Sequence, residues 1–131
     1  MGRHSLLHRL KQIHTVQGSI EEPDPIQKLF ITEKIKDTIP LLFYLTNGQV
    51  FQSTGNIGRQ KGSSNFTTPF FRLEEINEPA FVTLSLLMPH YDHLFPTDIY
   101  DVSKLKKTAC WIEMNTKVFG GVQYLDSHLV V

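Results

Sequence analysis

The chain has 131 residues, 40% hydrophobic and 20% charged, which suits one folded domain and excludes a disordered tail. Thirteen basic residues balance thirteen acidic ones, so the strongly basic balance of a general nucleic-acid binder is missing. A single cysteine excludes an internal disulfide framework and any multi-cysteine zinc site.

The neutral sum divides at residue 20. Residues 1–20 hold Arg3, Arg9 and Lys11 with no acid, giving +3; ten basic and thirteen acidic residues follow, giving −3. Within the basic part, Leu6, Leu7, Leu10 and Ile13 recur at helical spacing behind a possible N-cap, Ser5. This predicts a short amphipathic helix over about 5–14, marginal alone and in need of docking on its own domain or on a neighbour. Gly18 to Pro25 (GSIEEPDP) reads as a linker, so residues 1–35 form an arm ahead of a domain at 36–131. The start MGRHSLLHRLKQIH lacks the apolar core and cleavage site of a secretory signal, and Leu6 stands where myristoylation needs Ser or Thr. No apolar run approaches the roughly 20 residues of a membrane-spanning helix.

From Ile39 the pattern becomes β. Ile39–Thr46 and Gln49–Thr54 flank Asn47-Gly48, a strong signal for a two-residue hairpin that would pair Leu45 with Val50 and Tyr44 with Phe51. Gly55 to Phe66 reads as a loop and Phe70–Ile76 as a strand. Phe81–Met88 alternates as a strand that Pro89 stops. Pro89–Pro96 (PHYDHLFP) is then a loop, and Thr108–Met114 and Lys117–Leu125 close the domain. The expected fold is mainly β, a single antiparallel β-sandwich or flattened barrel with a short N-terminal helix.

The sequence contains little that resembles catalytic chemistry. His90, Asp92 and His93 have the residue types of a metal site, set against a plain solvated loop. His4 and His8 share a helix face among basic neighbours, which reads as a polar face. GNIGRQKG lacks the Gly-Lys-Ser/Thr ending of a phosphate loop, and no Gly-x-Ser-x-Gly elbow occurs. Cys110 alternates with Ile112 and Met114, as a small apolar residue on a strand does. The reading is of a non-enzyme with no cofactor.

KDTIP at 36–40, GQVFQSTGNIG at 48–58, FFRLEE at 70–75, VTLSLLMP at 82–89, then CWIEM and VQYLDSHLV occur in a characteristic order. Over about residues 36–131 the chain resembles the spore coat and exosporium proteins CotY, CotZ and ExsY of Bacillus-type endospores. The resemblance implies a structural protein made in the mother cell without a signal peptide and deposited on the spore surface, in coat or exosporium. It implies partners among its own copies and other coat proteins, a homo-oligomer, no nucleic acid and no membrane insertion. The alternative is an adaptor that anchors a surface appendage or filament; a small metal-dependent enzyme using His90, Asp92 and His93 is the third. Where such relatives are cysteine-rich, this chain has Asn77, Pro79, Ala80, Val118, Gly120 and Tyr124, so Cys110 can give at most one intermolecular disulfide. Assembly then falls to surfaces, with Leu6, Leu7, Arg9, Leu10 and Ile13 of the arm and Phe66, Phe70 and Phe71 as the expected docking residues.

Overall fold

The computed structural model describes residues 6–21, 37–58, 64–92 and 98–131. Among these residues one α-helix, α1 (Leu6–Glu21), precedes seven strands, with short 3-10 turns between and after the last of them. Its inward stripe is Leu10, Ile13 and Gln17, spaced three and four apart. Apolar spacing alone ends near His14. The helix runs on to Glu21 because the next inward position is filled by a polar residue, Gln17, bonded at both ends of its amide. The linker expected at 18–25 is therefore helical through Glu21, and residues 22–25 lie outside the described residues.

The strands are β1 (Leu41–Leu45), β2 (Ser53–Gly55), β3 (Phe66–Thr68), β4 (Phe70–Asn77), β5 (Phe81–Tyr91), β6 (Val102–Asn115) and β7 (Phe119–Tyr124). Five form an antiparallel sheet in the order β6-β5-β4-β1-β7, and β2 pairs with β3 separately. The mainly β fold with an N-terminal helix is thus as the sequence predicts. Of the expected sandwich or barrel, the barrel does not close, since among the described residues β6 and β7 share no ladder. The sheet is nevertheless curled. Residues 116–118 carry the chain from one sheet edge to the other, a reach of at most ~14 Å, where a flat five-stranded sheet would need ~19 Å.

Three local expectations are corrected. The Asn47-Gly48 hairpin exists, but its loop has three residues. Gly48 N–H donates to Leu45 O (2.9 Å), Leu45 N–H donates to Gln49 O (2.7 Å), and Gly48 alone takes a positive φ, 87°. The extra residue slips the register by one, so Tyr44 rather than Leu45 lies opposite Val50. Pro89 does not stop β5, which continues to Tyr91 with Pro89 opposite Leu105. Past Leu86 this strand has, among the described residues, β6 as its only ladder partner, a setting in which a missing amide is tolerated. β6 begins at Val102 rather than Thr108, since its first half is an edge strand in which Leu105 is the only fully buried residue.

The larger core lies on the α1 side of the sheet: Leu10 and Ile13 pack with Phe43, Phe71, Leu73, Leu84 and Phe119. Phe43 stacks on Phe119 with ring centroids 4.4 Å apart, and Phe51 stacks on Phe71 at 5.3 Å. Helix and sheet share this core. A smaller cluster on the opposite face joins Leu42, Phe70, Leu87, Leu105 and Val130. There the C-terminal segment returns from β7 and bridges to Leu105, whose carbonyl accepts from Val131 N–H at 3.0 Å.

Candidate docking surface

A five-stranded open sheet has two edges, and the two are built differently. The β6 edge carries exposed Lys104, Lys106 and Lys107, and Val130 bridges it at Leu105. Lysines and short covering segments are the usual means of preventing stray strand pairing. The β7 edge, Phe-Gly-Gly-Val-Gln-Tyr, carries no charge at all. Among the described residues no strand pairs with its outer side.

The register fixes which β7 groups face outward. Leu125 N–H donates to Pro40 O (2.8 Å), one step beyond the Leu41–Tyr124 pair. Antiparallel ladders alternate, so Gln123 also bonds inward to β1, while the backbone groups of Val122 and Tyr124 point away from the sheet. At the other end a bulge sets Gly120 against Leu45. A Cβ on Gly120 would lie 3.1 Å from Leu45 O and from Thr46 Cα, so a side chain there would push the β1 backbone back by a few tenths of an ångström.

Beside this edge runs a groove of about 600 Å³ between α1 and β7. Leu6, Ile13, Val16, Ile39, Val122 and Tyr124 supply its apolar lining, and Arg9 and Gln12 its polar groups. Tyr124 is 64% exposed and Val16 48%, large apolar groups left on the two banks. An unpaired strand next to a helix-lined apolar groove is chemically suited to accept an added strand: backbone bonds supply affinity, and alternate side chains enter the groove.

On the sheet's opposite face a polar clamp holds the segment leading into β1. Buried Arg72 donates from Nε to Thr38 Oγ1 (2.9 Å) and pairs with Glu74 Oε1 (2.5 Å), while Ser85 Oγ donates to Glu74 Oε2 (2.6 Å). Lys107, from β6, reaches Asp37 at 3.0 Å. Burial pushes the Asp37 carboxyl up, but the bonds from Lys107 and Thr38 and the charges of Lys107 and Arg72 outweigh it and hold the carboxyl below its ordinary range. The clamp ties residues 37–38 to β4 and β6, and so fixes the strand on which β7 is templated.

Among the residues expected to dock, Leu10 and Ile13 are buried in the chain's own core, and Leu6 and Leu7 pack partly against it. Arg9 is exposed at the groove. Phe70 and Phe71 are 1% and 0% exposed, so neither offers a surface contact; Phe66 is half-buried beneath β2. Their alternation across two faces of β4 is what a sheet buried on both sides requires. Cys110 is half-buried at a β6 bulge, with Sγ 3.3 Å from Asn56 Oδ1. His90 and Asp92 are exposed at the end of β5, and His93 and the Arg59–Lys61 part of the glycine-rich loop lie outside the described residues. Among the described residues no three potential ligands gather as a metal site. Val16, Val122 and Tyr124 escaped the sequence reading; the charge-free run of β7 was the available signal.

A family model described as Spore coat protein Z matches residues 10–126. The chain is also similar to Spore coat protein Z of Bacillus subtilis (strain 168), 27% identical over an alignment covering 92% of this chain and 88% of that one. No solved structure matches. The family match begins inside α1, so the resemblance read over 36–131 extends upstream into the helix. Spanning the helix, the sheet and the β7 edge together, this match shows that the chain belongs to the spore coat protein Z family.

Proposed function

We propose that the chain is a non-catalytic structural subunit of the endospore's outer layers, coat or exosporium, made in the mother cell and deposited on the spore surface. It holds its neighbours, its own copies or related coat proteins, by surface contact. The observation that carries this reading is the uncharged β7 edge, unpaired among the described residues and beside an apolar groove, in a member of a spore coat family. Covalent cross-linking plays little part, because the lone thiol is half-buried and bonded to Asn56.

Fractionation tests the role. The protein should co-purify with the insoluble outer layers of mature spores and leave only under conditions that strip the coat. Recovery in the soluble mother-cell fraction alone would sink the proposal.

The β6 edge, with its lysines and the Val130 bridge, favours a second reading, an adaptor that anchors an appendage or filament. A subunit with one open edge forms pairs, whereas an array needs two or more contacts. Electron microscopy separates the two: lattices of pure protein support self-assembly into a layer, and discrete particles support the adaptor.

A further inference from the structure

We infer that the occupant of the β7 edge is a second copy of the same strand, paired antiparallel about a two-fold axis through Gln123. This rests on the reading of β7 as the docking edge. Strand addition needs an unpaired strand on both sides, and among the described residues the chain itself supplies one that lacks charge. Pairing β7 with the β6 edge of another copy would be head-to-tail and open-ended, and would run an uncharged strand along Lys104 and Lys106.

The register follows from the outward-facing groups. Val122 and Tyr124 point their backbone N–H and C=O away from β1, so a two-fold at Gln123 sets Val122 against the partner's Tyr124 and Tyr124 against the partner's Val122. Each pair exchanges both of its hydrogen bonds. A register centred on Val122 sets the bulged Gly120 in the seam opposite the partner's Tyr124, and one centred on Tyr124 runs past the end of the strand to Asp126, the cap of the next turn. With the axis normal to the sheet, both α1 helices lie on one side of a continuous sheet, and the two grooves meet along the seam. Exposed Tyr124 and Val16 are then covered in each copy.

Gln123 is exposed, and among the described residues its side chain accepts from the Tyr44 hydroxyl alone, at 3.0 Å, so it can be replaced cheaply. In this register it faces its own copy as a non-hydrogen-bonded pair, with Cα atoms about 4.5 Å apart, within disulfide range. Full-length protein carrying Cys110→Ala and Gln123→Cys should therefore convert largely to a covalent dimer in a glutathione buffer, at least about tenfold faster than Cys110→Ala with Lys106→Cys on the other edge. Adding Tyr124→Pro removes an outward N–H while leaving the β1 ladder intact, and should slow cross-linking about tenfold or more. If that variant loses its far-UV circular dichroism, Tyr124→Lys, a change at an exposed position, decides in its place. Without either substitution at 123 or 124, the protein should sediment as a dimer.

A sedimenting monomer, or Gln123→Cys that cross-links no faster than Lys106→Cys, overturns the inference. So does a dimer that survives both Tyr124 variants. The coat fraction keeps the two claims apart: a monomer recovered there overturns the dimer and leaves the coat role standing, while absence from it overturns the coat role whatever the oligomer.

Discussion

Gln17 and Ile39 are joined by a hydrogen bond from the Ile39 backbone N–H to Gln17 Oε1 at 2.9 Å, and Nε2 of the same side chain donates to Leu73 O, also at 2.9 Å. One buried amide thus connects α1, the entry to β1, and β4. Gln17→Leu keeps the volume but leaves a buried donor and acceptor without partners. We expect a loss of about 2–3 kcal/mol, read as a lower urea midpoint with unchanged slope. A change below ~0.5 kcal/mol would mean that water satisfies those groups.

Removal of residues 1–20 tests whether the helix is an arm or a wall of the core. Leu10 and Ile13 are buried against Phe71 and Leu84 in one cluster, so the truncated chain should lose cooperative unfolding and bind a hydrophobic dye. A truncated chain that unfolds as cooperatively as the full one would restore the detachable arm.

Phe43 sits between Phe71 and Phe119, stacked on the latter at 4.4 Å. Phe43→Ala should destabilise the chain by about 4 kcal/mol, close to the whole stability of a small domain. Thermal unfolding measures it. A shift of only one or two degrees would show that the surrounding rings collapse into the space.

Asp37 gives the fold a pH dependence of defined sign. Its carboxyl is held below its ordinary range, so the folded value lies under the unfolded one of about 4. The clamp's contribution is complete above about pH 4 and declines as pH falls through the folded value. The effect is small because the carboxylate is 36% exposed and water screens it. Asp37→Asn should lower stability at pH 7 and flatten the acid limb of the profile; identical acid limbs in the two proteins would exclude the clamp.

Trp111 is the only tryptophan and is 56% exposed. Its emission should already be solvent-like in the folded protein, quenched by iodide, and barely red-shifted on unfolding. A blue emission maximum would place another surface over this sheet face.

The legible parts of the fold were those in which burial follows one period. β1, β4 and most of β5 are legible because their apolar residues run on or alternate, and β7 is legible from Phe119, Val122 and Tyr124 despite the two glycines between them. The end of α1 was hidden because its third inward position is a glutamine, whose value depends on bonds to Leu73 and Ile39, distant in sequence. The first half of β6 was hidden because an edge strand guarded by lysines looks like a charged loop. The docking residues were the least legible. Adjacent phenylalanines at 70 and 71 suggest a sticky surface, yet each is buried on its own side of a sheet covered on both faces. The exposed edge was betrayed only by a lack of charge, which no motif records.

The proposed coat role rests on the β7 edge as a surface by which each copy is held in the spore layer. Imaging of fluorescently tagged wild-type and Tyr124→Lys copies in sporulating cells tests it most directly. A continuous shell around the forespore is expected for the wild type, and a diffuse mother-cell signal for the folded variant. A diffuse wild type, or a shell that the Tyr124→Lys copy forms equally well, would contradict it.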